Sequence, residues 1–537
     1  MQQNNLNLKS IRVGCLPIID SFMNKMNLFE FLVEALRNQN YAEAIILLSK
    51  NILINREALY GIGEWAAKYN LRELGDDCLA RALDRLFEID RATLQTKIVL
   101  ASAKTFELNL DQIHSDSTSI SLSGDYKNQD TKAIKLKRGY SKAHRPDLKQ
   151  LIYNLCVTRD GAVPVHFKCF DGNRTDDSFQ LEIWNSLRTL LQRSDFTYVA
   201  DSKFCVGPTM SKVDSEHGLF VTMVPKTRAE TKDFRKELEQ GDVRWEKILR
   251  KRSNRYLKEF DTFEVATGDY RLREGFRLYW YRSSQKAKRD AESRKNRISL
   301  AVDRLENLTL DRLRGPKTAS SIEKKIEKIL ARYQVKDWVS VEVKFDTHEK
   351  FKALSRGKPT KETQYRKIDI KKPRLHIKKN MEMIGKSKLL DGIFPLATNK
   401  KDQAIETLKI YKYQPYIEKR HMHFKTSQNG DSIWLKKNTR IEALMFAEYI
   451  AQMTAALIER ALRKGMQDKK IEAMPCLPEN RNSTSPTFDQ LLRIFDDCSS
   501  HQLIERGQVI KKFAEPLTKI QTQILTLLEV PVKNYTP

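Results

Sequence analysis

Leu151-Ile152-Tyr153-Asn154-Leu155-Cys156-Val157, then Arg159-Asp160-Gly161, then Val163 to Phe170: two apolar alternating runs joined through Asp-Gly decide the fold class of this chain. Alternation at period two marks half-buried strands, and Asp-Gly supplies the tight turn of a hairpin. Upstream, Gln112–Ser123 alternates with many Ser and Thr, as a strand and its partner would. Downstream, Thr175 and Asp176 can cap a helix through Leu190, and Phe196–Ala200 is a short apolar strand ending at Asp201. Lys203 onward is helical, and Gly218–Val224 is another strand. Strands followed by helices in this order predict an α/β layer with a mixed sheet.

The pattern changes on both sides of this block. Ile18, Ile19, Phe22, Met26, Leu28, Phe31, Leu32 and Leu36 repeat at helical intervals, so residues 1–105 are expected to form an all-helical domain. From 226 to 385 the chain turns basic, with 12 Lys+Arg between Lys350 and Asn380 against Glu362 and Asp369. Strand-like pieces (Phe263–Ala266, Arg277–Tyr281, Val339–Phe345, Arg374–Ile377) flank a polar helical stretch, Lys286–Asn307. An apolar strand resumes at Leu389–Thr398, and helices run from Asp402 to Lys464. The expected divisions are therefore 1–105, 106–225, a basic β-rich insertion at 226–385, 386–465, and a linker with C-terminal helices at 466–537. Those last helices suit dimerisation.

Lys and Arg number 96 and Asp and Glu 69, a net charge of +27 over 537 residues. An excess of this size points to a polyanion such as DNA. Seven cysteines without a C-x-x-C pair speak against a disulfide framework or a zinc ribbon, and fit reduced thiols in the cytosol. The N-terminus has no apolar stretch behind a basic start, so no secretory signal is expected. The most apolar run, Ala443–Ile458, is broken by Glu448 and Gln452 and reads as a buried helix, with no membrane role.

Three acidic residues stand where burial would not favour them. Asp116 lies within the strand Ile113–Ser119, and Asp201 follows Tyr198-Val199-Ala200 at the strand end where α/β sheets place ligands. Tyr411, Gln414, Glu418 and Lys425 are spaced by 3, 4 and 7, steps that share one helical face. Pro415 predicts that a new helix starts there, with Tyr411 and Gln414 just before it. His421 and His423, two apart, diverge on a helix and make a poor zinc pair, and His114 reads as a core or supporting histidine near Asp116.

These residues resemble the DDE transposases of bacterial insertion sequences, in the branch marked by a Y-(2)-R-(3)-E-(6)-K signature. Tyr411, Glu418 and Lys425 match its spacing, and Gln414 stands where the signature has Arg. Asp116-Ser117-Thr118-Ser119, Gly139-Tyr140-Ser141-Lys142, His144 to Gln150, Gly172-Asn173-Arg174-Thr175-Asp176 and Ala200-Asp201-Ser202 look like motifs of the same family, in order. Asp391-Gly392-Ile393-Phe394, Trp434-Leu435-Lys436 and Arg440 to Leu444 continue it, so the resemblance spans roughly 10 to 465.

The resemblance implies an RNase H-like catalytic core, a mixed sheet with flanking helices, interrupted by the β-rich insertion between Asp201 and Glu418. It implies that Asp116, Asp201 and Glu418 bind Mg²⁺, with Mn²⁺ as a substitute, for cleavage and strand transfer of DNA. Tyr411, Gln414 and Lys425 would contact DNA phosphates, the basic residues Lys371, Lys372 and Arg374 would hold the DNA backbone, and Trp280 reads first as a packing residue, with stacking on a flipped base as the alternative. The expected partners are double-stranded DNA (terminal inverted repeats and target) and a second copy of the chain in a homodimer, with residues 1–105 reading the ends. A cytoplasmic, nucleoid-associated location goes with that. A nuclease without strand transfer, and a catalytically inactive or domesticated DNA-binding relative, are the alternatives.

Overall fold

The structure, a computed structural model, describes residues 6–142, 145–252, 259–310, 319–354, 356–361, 363–427 and 435–536, and not the side chains of 309–310, 370–373 and 423–427. In chain order the strands are β1 (Leu6–Arg12), β2 (Gln112–Leu122), β3 (Lys149–Thr158), β4 (Pro164–Asp171), β5 (Thr197–Ala200), β6 (Leu219–Met223) and β7 (Trp245–Arg252). They continue with β8 (Phe260–Ala266), β9 (Arg277–Ser283), β10 (Val339–Ala353), β11 (Tyr365–Lys379), β12 (Ile393–Thr398), β13 (Ser499–Glu505) and β14 (Gln508–Ala514). Two compact units result. One is Met1–Thr222 with Thr398–Lys401 and Glu406–Pro537, the other Met223–Ala397 with Asp402–Ile405.

In the first unit the strands run in the order β4-β3-β2-β5-β6. β2, β3 and β4 are antiparallel neighbours, whereas β5 lies parallel to both β2 and β6. This mixed α/β sheet with flanking helices is compatible with an RNase H-like core. The hairpin expected at Asp-Gly is β3–β4, with Gly161 at φ 87° in its turn. A Cβ there would meet the Arg460 side chain at 2.9 Å, and Arg460 Nε donates to Asp160 at 2.8 Å, so the turn is clamped from outside. Trp184, Tyr153, Tyr198, Phe196, Phe204 and Phe220 are fully buried on the two faces of the sheet.

The helix Asn438–Asp468 is long and apolar enough to cross a membrane by length and composition alone. It is instead the core helix of this unit: 78% of its most apolar window is buried, and it packs on the helices Gln39–Ile54 and Asp76–Glu88.

The terminal regions are not all-helical, contrary to the expectation from periodicity. β1 pairs antiparallel with β13, and β13 with β14, in a three-stranded sheet. Ser10 Oγ lies 3.0 Å from His501 Nδ1 across 491 residues of sequence. The turn Arg506-Gly507, with φ of 51° and 82°, has the left-handed backbone of a two-residue hairpin. Short strands with polar and apolar residues mixed on both faces carry little period-two signal, so periodicity does not reveal them.

In the second unit β12-β9-β8-β7 form one sheet and β10–β11 a separate two-stranded ribbon. The insertion is not β-rich alone: helices Ser284–Leu310 and Ala319–Tyr333 form much of it. Ile298, Ala301 and Leu305 on the first and Ile322 and Ile326 on the second close a core with Val335, Val339 and Ile384. Arg294 donates to both carboxylate oxygens of Asp391 at 2.6 Å, tying the long helix to the turn before β12.

Candidate active site

Asp116 sits in the middle of β2, opposite Leu155 of β3. Its Oδ1 accepts from the Ser117 backbone N–H at 2.8 Å, which fixes the carboxylate against its own strand. Asp201 follows β5, the neighbour of β2 on the other side. Its Oδ1 accepts from the Lys203 N–H at 3.0 Å, and its carbonyl accepts from Thr222 Oγ1 at 2.7 Å. No helix starts there. The next one begins at Gly207, so Asp201 is not a helix cap.

Glu418 lies in the first turn of the helix Pro415–Ser427. Pro415 is that helix's first residue, where its missing N–H costs nothing, and Tyr411 ends the preceding helix Ala404–Tyr411. The chain therefore breaks between Tyr411 and Pro415, as the sequence predicts. The break leaves Glu418 at the positive end of a helix.

The three carboxyl groups feel one another's charge. Burial pushes the Asp201 carboxyl above its usual range, the Lys203 N–H opposes this, and Asp116 and Asp176 push it further up while Lys142 pulls it down. Glu418 is raised by the protein around it and then by Asp116. The Tyr411 phenol is raised by burial, then by Asp201, Glu418 and Asp116 in turn. Tyr411 thus stands protonated beside all three. Among the described residues no three His, Cys, Asp or Glu side chains are drawn together closely enough to hold one ion. The carboxylates repel one another without closing on a common point. Hard oxygen donors arranged in this way suit divalent cations that keep waters and share their ligands with a substrate phosphate.

Gln414 is placed differently from the expectation. It is buried, with 6% of its surface exposed, and both ends of its amide are engaged inside the fold. The buried, neutral His114 ring donates from Nδ1 to Gln414 Oε1 at 2.8 Å and accepts at Nε2 from Gln112 Nε2 at 2.7 Å. Burial holds the His114 pKa down to about 4, which fits that neutral ring. Gln414 Nε2 donates to the Ser115 carbonyl at 3.0 Å. Gln414 is therefore not a phosphate contact. It fastens the Glu418 helix to the strand that carries Asp116.

Trp280 takes the packing role and not the stacking one. It is 2% exposed, and Phe234 stacks on its ring at 3.9 Å and 1°. A base has no open ring face to use there. Lys425 falls within the helix Pro415–Ser427, and Lys371 and Lys372 fall on β11, but their side chains lie outside the described residues. The same holds for His423, and His144 and Trp434 lie outside the described residues altogether. Arg374 is exposed on β11, with Nη1 3.9 Å from Asp346.

Three further residues belong to the site. His421, one turn after Glu418, is buried, with Nε2 3.3 Å from the Asp116 carbonyl and 3.7 Å from Oδ2. Lys142 Nζ donates to the Ser117 carbonyl at 2.6 Å and its hydroxyl at 3.0 Å, and pairs with Asp176 at 3.1 Å. Asp176 is the third residue, a further carboxylate near Asp201. The spacing of His421 from Glu418, three residues on one helical face, was a usable signal. Nothing in the sequence pattern linked Lys142 and Asp176, which lie 34 positions apart. Behind the helix, Arg420 donates to the carbonyls of Gly161 and Ala162 at 3.1 Å each and pairs with Glu459 at 2.8 Å, both side chains nearly buried.

No family model and no curated protein matches the chain. Among solved structures it is similar to a piggyBac transposase in a synaptic complex with hairpin DNA, at a TM-score of 0.27 and 9% identity, over 88% of this chain and 85% of that one.

Proposed function

We propose that the chain is a DNA transposase of an insertion sequence, cutting transposon ends and joining them to target DNA with Mg²⁺ held by Asp116, Asp201 and Glu418. The observation that supports this reading is the placement of three carboxyl groups at mid-β2, the end of β5 and a helix first turn, where Asp201 and Glu418 are each raised by burial and then further by the charge of Asp116. Divalent cations bound there supply activation of the attacking oxygen and stabilisation of the leaving one in an in-line displacement. In the first reaction water attacks a phosphodiester and the bond to the 3′ oxygen breaks, freeing a 3′-OH. In the second that 3′-OH attacks a target phosphodiester and a new bond replaces the one broken.

The chain's own residues hold and orient. His421 and the Ser117 N–H fix Asp116, and the Lys203 N–H fixes Asp201. Tyr411, kept protonated, presents a donor to a phosphate oxygen. Lys142 balances Asp176 and Asp201 before a cation enters. Duplex DNA is the substrate, a homodimer the assembly, and the cytoplasmic nucleoid the setting.

The test is a gel assay with labelled DNA carrying the element's own ends, in Mg²⁺ or Mn²⁺, comparing wild type with Glu418→Gln. Nicked and joined products that vanish in the variant, with DNA binding kept, support the reading. Cleavage without joined product makes it a nuclease. Binding without any product makes it an inactive relative.

A further inference from the structure

The ribbon β10–β11 pairs over 15 residues on each strand, from Val339 opposite Lys379 to Ala353 opposite Tyr365. Directly opposed residues of an antiparallel pair share a face, and faces alternate along each strand. The face holding Val341, Val343, Phe345, Leu375 and Ile377 packs on the core of the two long helices. That packing turns the other face outward along the whole length. Beyond Phe345 both faces are exposed in β10, so the outer half leaves the core behind.

The outward face begins with neutralised charge. Lys344 lies 3.6 Å from Glu342, and Arg374 lies 3.9 Å from Asp346. Its outer half carries Lys350 opposite Ile368 and Lys352 opposite Arg366, with no acidic residue among those described. On the opposite face Lys367 is paired with Glu349, and Asp369 stands across from Glu349. The pleat has sorted an evenly basic stretch of sequence into one cationic face and one nearly balanced face. The connecting loop adds Arg356, Lys358 and Lys361, all exposed.

We propose that the outer half of this ribbon is an arm for duplex DNA, meeting phosphates through the face of Lys350, Lys352 and Arg366 alone. Two strands about 4.8 Å apart fit within a major groove ~12 Å wide. Residues 350 and 352 advance by about 6.8 Å, twice the ~3.4 Å axial step between phosphates of one DNA strand. An anionic membrane fits less well. The exposed aromatics Phe351 and Tyr365, which would enter a membrane interface, lie on the balanced face and not on the face of Lys350 and Lys352. This inference deepens the proposed transposase reading by naming the surface that holds its DNA.

The experiment uses the full chain and a labelled 40-bp duplex of mixed sequence, with affinity measured across a KCl series. K350Q/K352Q should lower the slope of log affinity against log salt by roughly 1.8 and weaken binding about tenfold at 0.1 M KCl. K367Q/K379Q, which removes equal charge from the other face, should leave the slope within 0.3 of wild type, on the order of a third of one phosphate contact. Equal responses from the two pairs, or none from the first, overturn the arm. So does loss of binding to phosphatidylserine vesicles by K350Q/K352Q with DNA affinity kept. Cleavage of end DNA is scored with the same preparations. An unmoved slope in a cleaving enzyme removes the arm alone, and a moved slope without cleavage keeps the arm and removes the activity.

Discussion

The Glu418 helix and the β10–β11 ribbon are both rich in charge, and they use it in opposite ways. Around Glu418 the charged and polar groups are sunk into the first unit: Arg420 on Glu459 and two carbonyls, Gln414 between His114 and Ser115, His421 on Asp116. On the outer ribbon the described ones face solvent. Buried charges fix geometry, because a misplaced partner leaves an unsatisfied group in a low dielectric. Exposed charges tolerate displacement and act through their number. Chemistry needs the first arrangement and affinity for a polyanion needs only the second.

The comparison breaks most readily at Arg420. Arg420→Met leaves Glu459 with Arg463 at 3.4 Å and strips two carbonyls of their donor. A loss of about 3 kcal/mol in urea unfolding is expected, the low end for a broken buried pair because one arginine remains. A loss under 1 kcal/mol would show the cluster to be wet and the contrast with the ribbon to be false.

Gln414 sharpens it further. Arginine, the residue of the Y-(2)-R-(3)-E-(6)-K signature, should not improve this protein, because the site has no room for a charge between His114 and the Ser115 carbonyl. Gln414→Arg and Gln414→Ala should each destabilise by roughly 1–3 kcal/mol through unpaired buried groups. A Gln414→Arg variant with wild-type stability and tighter DNA binding would return position 414 to the DNA surface.

Glu448 carries the contrast into pH. Burial pushes its carboxyl up to about 8, against a pull from Arg56, so the folded state holds a proton that the unfolded chain releases near the ordinary Glu value. Its contribution is full below about pH 4.3 and is lost as pH rises towards 8. Glu448→Gln, which mimics the protonated form, should flatten that part of a stability profile measured from pH 5 to 8 and raise stability at pH 8. An unchanged profile would mean that Arg56 keeps the carboxylate ionised. On the ribbon, by contrast, Arg366→Gln should change the melting free energy by less than about 0.5 kcal/mol.

Much of the α/β layer was legible because its strands are apolar, alternating and bounded by turn residues: the β3–β4 hairpin around Gly161, β5 before Asp201, the helix restarted by Pro415. The three carboxylates could be singled out from their positions at a mid-strand, a strand end and a helix start. What stayed hidden depends on burial, which a linear pattern does not carry. Gln414 and Trp280 have the right chemistry for DNA and the wrong exposure for it. Lys142 and Asp176 meet only because β2 and its neighbours bring them together. The ribbon's basic stretch was plain, but only the pairing register separates Lys350 and Lys352 from Lys367.

The pairing of β1 with β13 has a consequence for synthesis. Ribosomes add about 5–20 residues per second, so β1 is made roughly 25 to 100 seconds before β13 exists to receive it. During that time Leu6 and Leu8 sit on a strand with no ladder partner and both edges open. A chain halted anywhere before Ser499 can never close that sheet. The β1–β13 ladder thus reports whether translation reached the C-terminal hairpin, and a prematurely stopped product is left with an unpaired N-terminal edge.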